Sequence, residues 1–217
     1  MTARTAPLTD LARTPRHADA ELRAETAELG MWVFIATEVL FFGGLFFAYL
    51  YGRTHWPDGW ALAARHTDVV LGTLNTAVLL TSSFAVALAV AASEHDRRAW
   101  VARLLWATAA LGVAFLVIKG IEYRNDWHEG LVPGAHFSLA AIPGAELFFV
   151  VYFLTTGLHA VHLTIGIALM SAFAAGTEHR SGWAHPTRLQ TAALYWHFVD
   201  VVWIFLYPLI YLVVRHS

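Results

Sequence analysis

The sequence predicts an all-α fold, a polytopic membrane protein built as a bundle of five transmembrane helices. Of its 217 residues, 58% are hydrophobic and only 14% are charged, and the mean hydropathy is +0.53. Soluble domains carry about 25% charged residues, so this composition argues against a cytosolic globular enzyme. It also argues against disorder, which requires low hydrophobicity and a high net charge.

Long apolar runs give the number of helices. A bilayer core of about 30 Å requires about 20 apolar residues per helix, and each run meets that length. A membrane β-barrel would instead alternate apolar and polar residues over short segments, and these runs do not alternate. The predicted helices cover residues 29–51, 68–92, 101–121, 146–175 and 191–214.

The segment before the first helix is polar. In residues 1–28, four arginines mix with five acidic residues. This segment holds no apolar run of the signal-peptide type, so we expect no cleaved signal peptide. We assign residues 1–28 to an N-terminal tail and residues 29–217 to the membrane domain.

The basic residues predict how the chain is oriented. Nine of the 14 Lys and Arg residues flank the predicted helices on the N-terminal side of the membrane, and five flank them on the other side. Because basic residues favour the cytoplasmic side, we expect a cytoplasmic N-terminus and an external C-terminus.

The composition excludes several classes of function. The chain has no cysteine, which removes disulfides, thiolate zinc sites, iron–sulfur clusters and covalently attached haem. The net charge of −2 and the lack of a basic run argue against binding to nucleic acid. Twelve histidines remain as soft-metal ligands.

Ionisable residues inside the predicted helices are the candidate functional residues, because they are costly in a membrane and usually face protein. A rise of 1.5 Å per residue places Glu38 and Asp200 at about 13 Å from the cytoplasmic end, His197 at about 9 Å and His162 at about 20 Å. We therefore expect these four side chains to meet in one buried polar cluster. His159 shares a helix face with His162, as His197 does with Asp200.

Each of these groups has two interpretations. His159 and His162 could hold a metal or a haem, or they could form hydrogen bonds between helices, which is a common use of polar residues in bundles. We favour hydrogen bonding, because the different depths of His162 and His197 do not suit a bridging haem. Glu38 could carry protons, or it could lock helices together as a protonated or histidine-paired carboxyl. We thus predict no catalytic, cofactor-binding or metal-binding residue.

The third predicted helix ends with a charged pair. Lys119 and Glu122 have the i, i+3 spacing of a local ion pair, which we place at the membrane interface. The following loop, residues 122–145, is the longest, and we expect it to be packed. Gly43, Gly44, Gly157 and Gly166 should let helix backbones approach one another, and Pro208 should kink the last helix.

Several sequence strings in the predicted helices stand out together. They are ATEVLFF (36–42), LNT (74–76), TSS (81–83), KGIEY (119–123), TGLHAVH (156–162) and YWHFVDVVWIFLY (195–207). Together they resemble subunit III of the haem–copper terminal oxidases, the cytochrome c oxidase subunit III family, in its short five-helix bacterial form. The resemblance covers residues 29–214, and the string in the last helix is the most specific.

The resemblance implies a non-catalytic subunit in the plasma membrane of a bacterium. Such a subunit carries no haem and no copper, which belong to partner subunits. It packs against the catalytic subunit I, lies in a complex with subunit II, supports proton uptake and protects subunit I during turnover. Bound phospholipid is a further expectation. The buried glutamate of the family matches Glu38, and its histidines and aspartate match His159, His162, His197 and Asp200.

Alternative functions remain at this point. A related accessory protein accompanies nitric oxide reductases, and quinol oxidases contain a similar subunit III. A stand-alone b-type haem protein and a small proton or solute carrier are two further classes. The lack of an internal repeat argues against the carrier.

Overall fold

The computed structural model describes residues 15–95, 97–179 and 185–212, and the regular structure of these residues is entirely helical. Five of the helices are long and apolar enough to cross a membrane, which confirms the predicted fold class. The helices are α1 (Pro15–His55), α2 (Pro57–Ala64), α3 (Val69–Glu94), α4 (Arg98–His128), α5 (Ala145–Glu178) and α6 (Pro186–Tyr207), followed by a π-helical turn (Pro208–Leu212).

The helix ends differ from the predicted ones where polar sequence continues a helix. Helix α1 starts at Pro15, so residues 15–28 extend the first span. This segment is rich in Ala and Glu, which favour a helix even where no apolar face is present. Residues 1–14 of the predicted tail and residues 213–214 of the predicted last helix lie outside the described residues.

The short helix α2 was not predicted from the sequence. Its eight residues are fewer than a periodic pattern needs, and they include Gly59. Pro57 occupies its first turn, where the missing N–H costs nothing. The helix buries Trp60 against Tyr49 and Phe148, with ring centroids 5.4 and 5.3 Å away.

The start of α3 explains one of the charged residues near a membrane boundary. The Asp68 carboxyl accepts hydrogen bonds from the backbone N–H of Val70 at 2.9 Å and of Leu71 at 3.1 Å. Aspartate is a preferred residue at this position, because its side chain satisfies N–H groups that the helix leaves free.

Helix α6 lies at the centre of the bundle and α1 at its edge. In the most apolar window of each span, 56% of the residues of Pro186–Leu212 are buried, against 11% of Glu25–His55. Trp196 of α6 is fully buried because two glycines give it room. An added Cβ would lie 3.0 Å from its ring at Gly112 and 3.0 Å at Gly166.

Two of the four glycines predicted to allow close helix approach do not do so. A Cβ added at Gly43 or Gly44 would meet nothing within 4 Å. Both residues lie on α1, the least buried span of the bundle. A Cβ at Gly157 would lie 3.8 Å from the Tyr123 hydroxyl, which is an ordinary contact. Gly166 does allow the predicted close approach, which is to Trp196.

At its end, α6 changes from α-helix to a π-helical turn at Pro208. Proline has no N–H to continue the α-helical bonds, which accounts for the change at this position. The hydroxyl of Tyr49 donates to the carbonyl of Leu209, so α1 holds this irregular backbone in place.

The predicted loop 122–145 is partly helical, because α4 continues to His128. The rest is packed, with Leu131 and Phe137 buried. Gly144 has a φ of +86°, and a Cβ there would lie 2.5 Å from Trp56. Glycine is therefore required at this position, both for its backbone conformation and for the approach of Trp56.

Candidate functional site

Glu38 and His162 form a contact between α1 and α5. Glu38 Oε2 lies 3.1 Å from His162 Nε2, and the two side chains are 18% and 14% exposed. His162 Nδ1 lies 2.9 Å from the carbonyl oxygen of Leu158. A carbonyl only accepts, so Nδ1 carries a hydrogen. Nε2 faces the Glu38 carboxyl at the distance of an ion pair, although Glu38 Oε2 makes no hydrogen bond to any described residue.

His159 has entirely different neighbours. It is 1% exposed, and its ring centroid lies 5.5 Å from Phe115 and 5.1 Å from Trp203. Neither of its ring nitrogens has a hydrogen-bond partner among the described residues. Across the described ranges, no three His, Asp, Glu or Cys side chains converge on a common point.

The predicted four-residue cluster does not form, which corrects that prediction. His197 Nδ1 lies 2.7 Å from Ser83 Oγ of α3, so its polar partner is Ser83 and not Asp200. Asp200 is 3% exposed, and neither of its carboxyl oxygens has a hydrogen bond. Depth along the membrane normal does not fix which face of each helix a side chain occupies.

Lys119 and Glu122 form the expected i, i+3 ion pair, and the protein buries it. Lys119 Nζ is 3.1 Å from Glu122 Oε2, and the two side chains are 3% and 2% exposed. The same Nζ donates to the hydroxyl oxygens of Tyr152 at 3.0 Å and Tyr211 at 2.7 Å. All three donor positions of the ammonium group are therefore satisfied.

A larger set of side chains, here called the Lys119 cluster, surrounds this pair. It comprises Lys119, Glu122, Asp126, Tyr152 and Tyr211. The Tyr211 hydroxyl lies 2.6 Å from Glu122 Oε1, and the Tyr152 hydroxyl lies 2.9 Å from Glu122 Oε1 and 3.0 Å from Asp126 Oδ2. The cluster joins α4, α5 and the π-helical turn through hydrogen bonds to charged groups, which are the stronger class.

Sequence reasoning missed Asp126, Tyr152, Tyr211 and Ser83. A signal existed for Asp126, which follows Glu122 by four residues and so shares its helix face. The tyrosines and Ser83 carried no comparable signal, because their roles depend on packing between separate helices.

Comparisons with known proteins agree with the geometry of the bundle. The model of the family described as cytochrome c oxidase subunit III matches residues 16–214. That range includes all five membrane-spanning helices and every candidate residue named above.

Individual relatives give the same result. Cytochrome c oxidase subunit 3 from Thermostichus vulcanus is 33% identical over 190 residues, which cover 86% of this chain and 87% of that protein. The subunit 3 protein from Corynebacterium diphtheriae is 30% identical over 202 residues, 92% of this chain and 94% of the relative. A heme-copper oxidase subunit I+III from Aeropyrum pernix is 30% identical over 197 residues, 84% of this chain and 22% of that protein. The chain therefore belongs to the cytochrome c oxidase subunit III family.

Proposed function

We propose that this chain, as subunit III of a haem–copper oxidase in aerobic respiration, packs against the catalytic subunit I, stabilises it and supports its proton uptake. The observation that carries the proposal is the family match over residues 16–214, together with five helices able to span a membrane. The Aeropyrum pernix relative named subunit I+III supports subunit I as the direct partner. Subunit II is the second partner.

The haem and copper of the complex belong to the partner subunits. The chain has no cysteine, and His159, His162 and His197 have three separate sets of neighbours. This arrangement suits hydrogen bonding and packing better than a shared haem. The exposed apolar side chains of α1 suit contact with phospholipid or with a partner helix.

The protein is a multi-pass membrane protein, and we place it in the plasma membrane of a bacterium with its N-terminus in the cytoplasm. The excess of Lys and Arg on the N-terminal side supports this orientation, because basic residues generally prefer the cytoplasmic side.

The alternatives are not favoured. The relatives described above are named as subunits of cytochrome c oxidase or heme-copper oxidase. This supports an oxygen-reducing complex over an accessory role in nitric oxide reduction, and cytochrome c over quinol as electron donor.

Purification of the complex tests the proposal. A tag on the N-terminal segment, with a mild detergent and the native membrane as the source, should co-purify a haem–copper catalytic subunit. When this chain is then removed from the complex, the haem should stay with the catalytic subunit, as measured by its reduced-minus-oxidised spectrum. Haem remaining on the isolated chain would overturn the proposal, and so would a purification that recovers no haem–copper subunit.

A further inference from the structure

A cavity opens on the N-terminal side of the bundle, between the first turns of the α1 span, the last turns of α3 and the first turns of α6. It has a volume of about 380 Å³. Its polar lining comes from Glu28, Thr187, Gln190, Thr191 and His197. The rest of the lining is aliphatic. An acidic residue, two hydroxyls, an amide and an imidazole give water several hydrogen-bond partners.

His197 connects this cavity with the interior. It lines the cavity, and its Nδ1 lies 2.7 Å from Ser83 Oγ. This leaves Nε2 available to water in the cavity. The Ser83 hydroxyl also lies beside the Asp200 carboxyl, one helical turn beyond His197, although no direct hydrogen bond reaches either carboxyl oxygen.

Asp200 is the unexplained group at the inner end of this path. It is 3% exposed within a membrane-spanning helix. A carboxylate without hydrogen-bond donors in such a place is costly, so the side chain needs a proton or water. The Lys119 cluster contains no bond to Asp200, and no other part of the described structure gives it a partner.

We propose that the cavity between α1, α3 and α6 is a water-filled proton-uptake site whose acceptor is Asp200, reached through His197 and Ser83. The proposal concerns groups within this chain. It therefore does not depend on the identity of the partner subunits.

The transfer balances as a chain of three proton movements. A hydronium ion in the cavity gives its proton to His197 Nε2. The hydrogen on Nδ1 of the resulting imidazolium then moves to Ser83 Oγ. The hydroxyl proton of Ser83 moves to the Asp200 carboxylate once a side-chain rotation closes the hydrogen bond that the structure leaves open. The products are water, neutral His197 with its hydrogen on Nε2, intact Ser83 and a neutral carboxyl. The reverse sequence returns the proton to the cavity.

The first experiment tests whether water reaches the cavity from one side. The chain has no cysteine of its own, so Thr191→Cys introduces a single thiol into the cavity wall. The probe is trimethylammonioethyl methanethiosulfonate, which does not cross membranes, applied to vesicles of either orientation that contain the whole complex. Mass measurement of this chain then gives the extent of labelling.

The control is Ser82→Cys, which adds a thiol at a fully buried position where the native hydroxyl contacts Trp196. We expect Thr191→Cys to react at least about tenfold faster than the control, since a buried thiol reacts only after local opening. It should react only from the N-terminal side. Ala87 is exposed and lines the cavity. Adding Ala87→Phe to Thr191→Cys should therefore obstruct the cavity and slow labelling of the thiol. Equal rates at the two positions, or faster labelling from the opposite side, would overturn the hydrated cavity.

The second experiment tests Asp200 as the acceptor. Infrared spectra of the purified complex, recorded while H2O is exchanged for D2O, should contain a carboxyl C=O band that shifts on exchange and is absent in Asp200→Asn. Ser83→Ala should slow that shift by roughly tenfold or more, because a positioned side chain is lost from the transfer path. Glu38→Gln serves as the control that leaves the band in place, because it removes a different carboxyl within the membrane spans. A band unaffected by Asp200→Asn, or an exchange rate unaffected by Ser83→Ala, would overturn the assignment.

Discussion

Two ion pairs lie within the membrane spans of this chain, and the protein surrounds them differently. Lys119 and Glu122 are 3% and 2% exposed and share hydrogen bonds with Tyr152 and Tyr211. Glu38 and His162 are 18% and 14% exposed and make a contact of 3.1 Å between α1 and α5. The first pair lies between α4, α5 and the π-helical turn, whereas the second lies beside the least buried helix of the bundle.

The difference shows that the contribution of an ion pair to stability depends on the groups that surround its charges. In the Lys119 cluster each charged side chain has several polar neighbours. Removing one charged side chain leaves a buried charge without its partner of opposite sign. The Glu38–His162 contact sits at an edge, where the side chains can relax toward lipid, water or a neighbouring subunit. We therefore expect the first pair to control stability and the second to have a small effect on it.

The largest effect should come from Lys119→Met. This change leaves the Glu122 and Asp126 carboxyls buried without the cation that neutralises them, which typically costs about 3–5 kcal/mol. Thermal unfolding of the purified complex in detergent measures the loss. The double variant Lys119→Met/Glu122→Gln should recover part of the stability, because it removes one uncompensated charge. Equal stability of Lys119→Met and the wild type would contradict a structural role for the cluster.

A smaller loss is expected from Tyr211→Phe. Its hydroxyl lies 2.7 Å from Lys119 Nζ and 2.6 Å from Glu122 Oε1, and a hydrogen bond to a charged group contributes about 1.5–3 kcal/mol. The matched control is Tyr207→Phe, one turn earlier, whose hydroxyl lies 2.6 Å from the neutral Thr73 Oγ1. The same unfolding measurement should show a larger decrease for Tyr211→Phe than for Tyr207→Phe. The opposite order would place the stabilising network elsewhere.

The edge pair should be much less sensitive. Glu38→Gln keeps the side-chain volume and removes the charge, and polar contacts between membrane helices average about 0.6 kcal/mol. We expect the complex to assemble with thermal stability within about 1 kcal/mol of the wild type. Val39→Ala, next to it and 56% exposed, controls for a change on α1. A loss as large as that of Lys119→Met would remove the distinction between the two pairs.

The same comparison shows which features of the fold the sequence could predict. Hydropathy gave the five spans, because the cost of exposing backbone and charge in lipid sets their length. It ended the third helix at residue 121, where charged residues interrupt the apolar run. The structure continues α4 to His128, since the Lys119 cluster satisfies those charges inside the protein. The pair is buried because Tyr152 of α5 and Tyr211 of the π-helical turn pack around it.

The partners of individual side chains were harder to predict. The depth of Glu38 and of the histidines followed from the helical rise. Their partners depend on the rotation of each helix about its axis, which comes from packing. Glu38 thus contacts His162 on α5, while His197 faces Ser83 on α3. A single sequence carries no signal for such rotations beyond the apolar face, and these helices are apolar on most sides.

A comparison of two glycines isolates packing from helix propensity. Gly43 on α1 and Gly166 on α5 both lie inside long helices. Replacing either by alanine brings the same gain in propensity, up to about 1 kcal/mol in soluble hosts. At Gly43 the new Cβ meets nothing within 4 Å, but at Gly166 it lies 3.0 Å from the Trp196 ring.

Any difference between the two variants therefore comes from the neighbours alone. We expect Gly43→Ala to leave the unfolding temperature of the complex unchanged or slightly raised. Gly166→Ala should lower it, because overpacking a filled core costs about 1–3 kcal/mol. If Gly43→Ala instead lowered the unfolding temperature of the complex but not that of the isolated chain, its open face would be covered by a partner helix. The contrast between an edge helix and a packed core would then hold for this chain alone and not for the assembled oxidase.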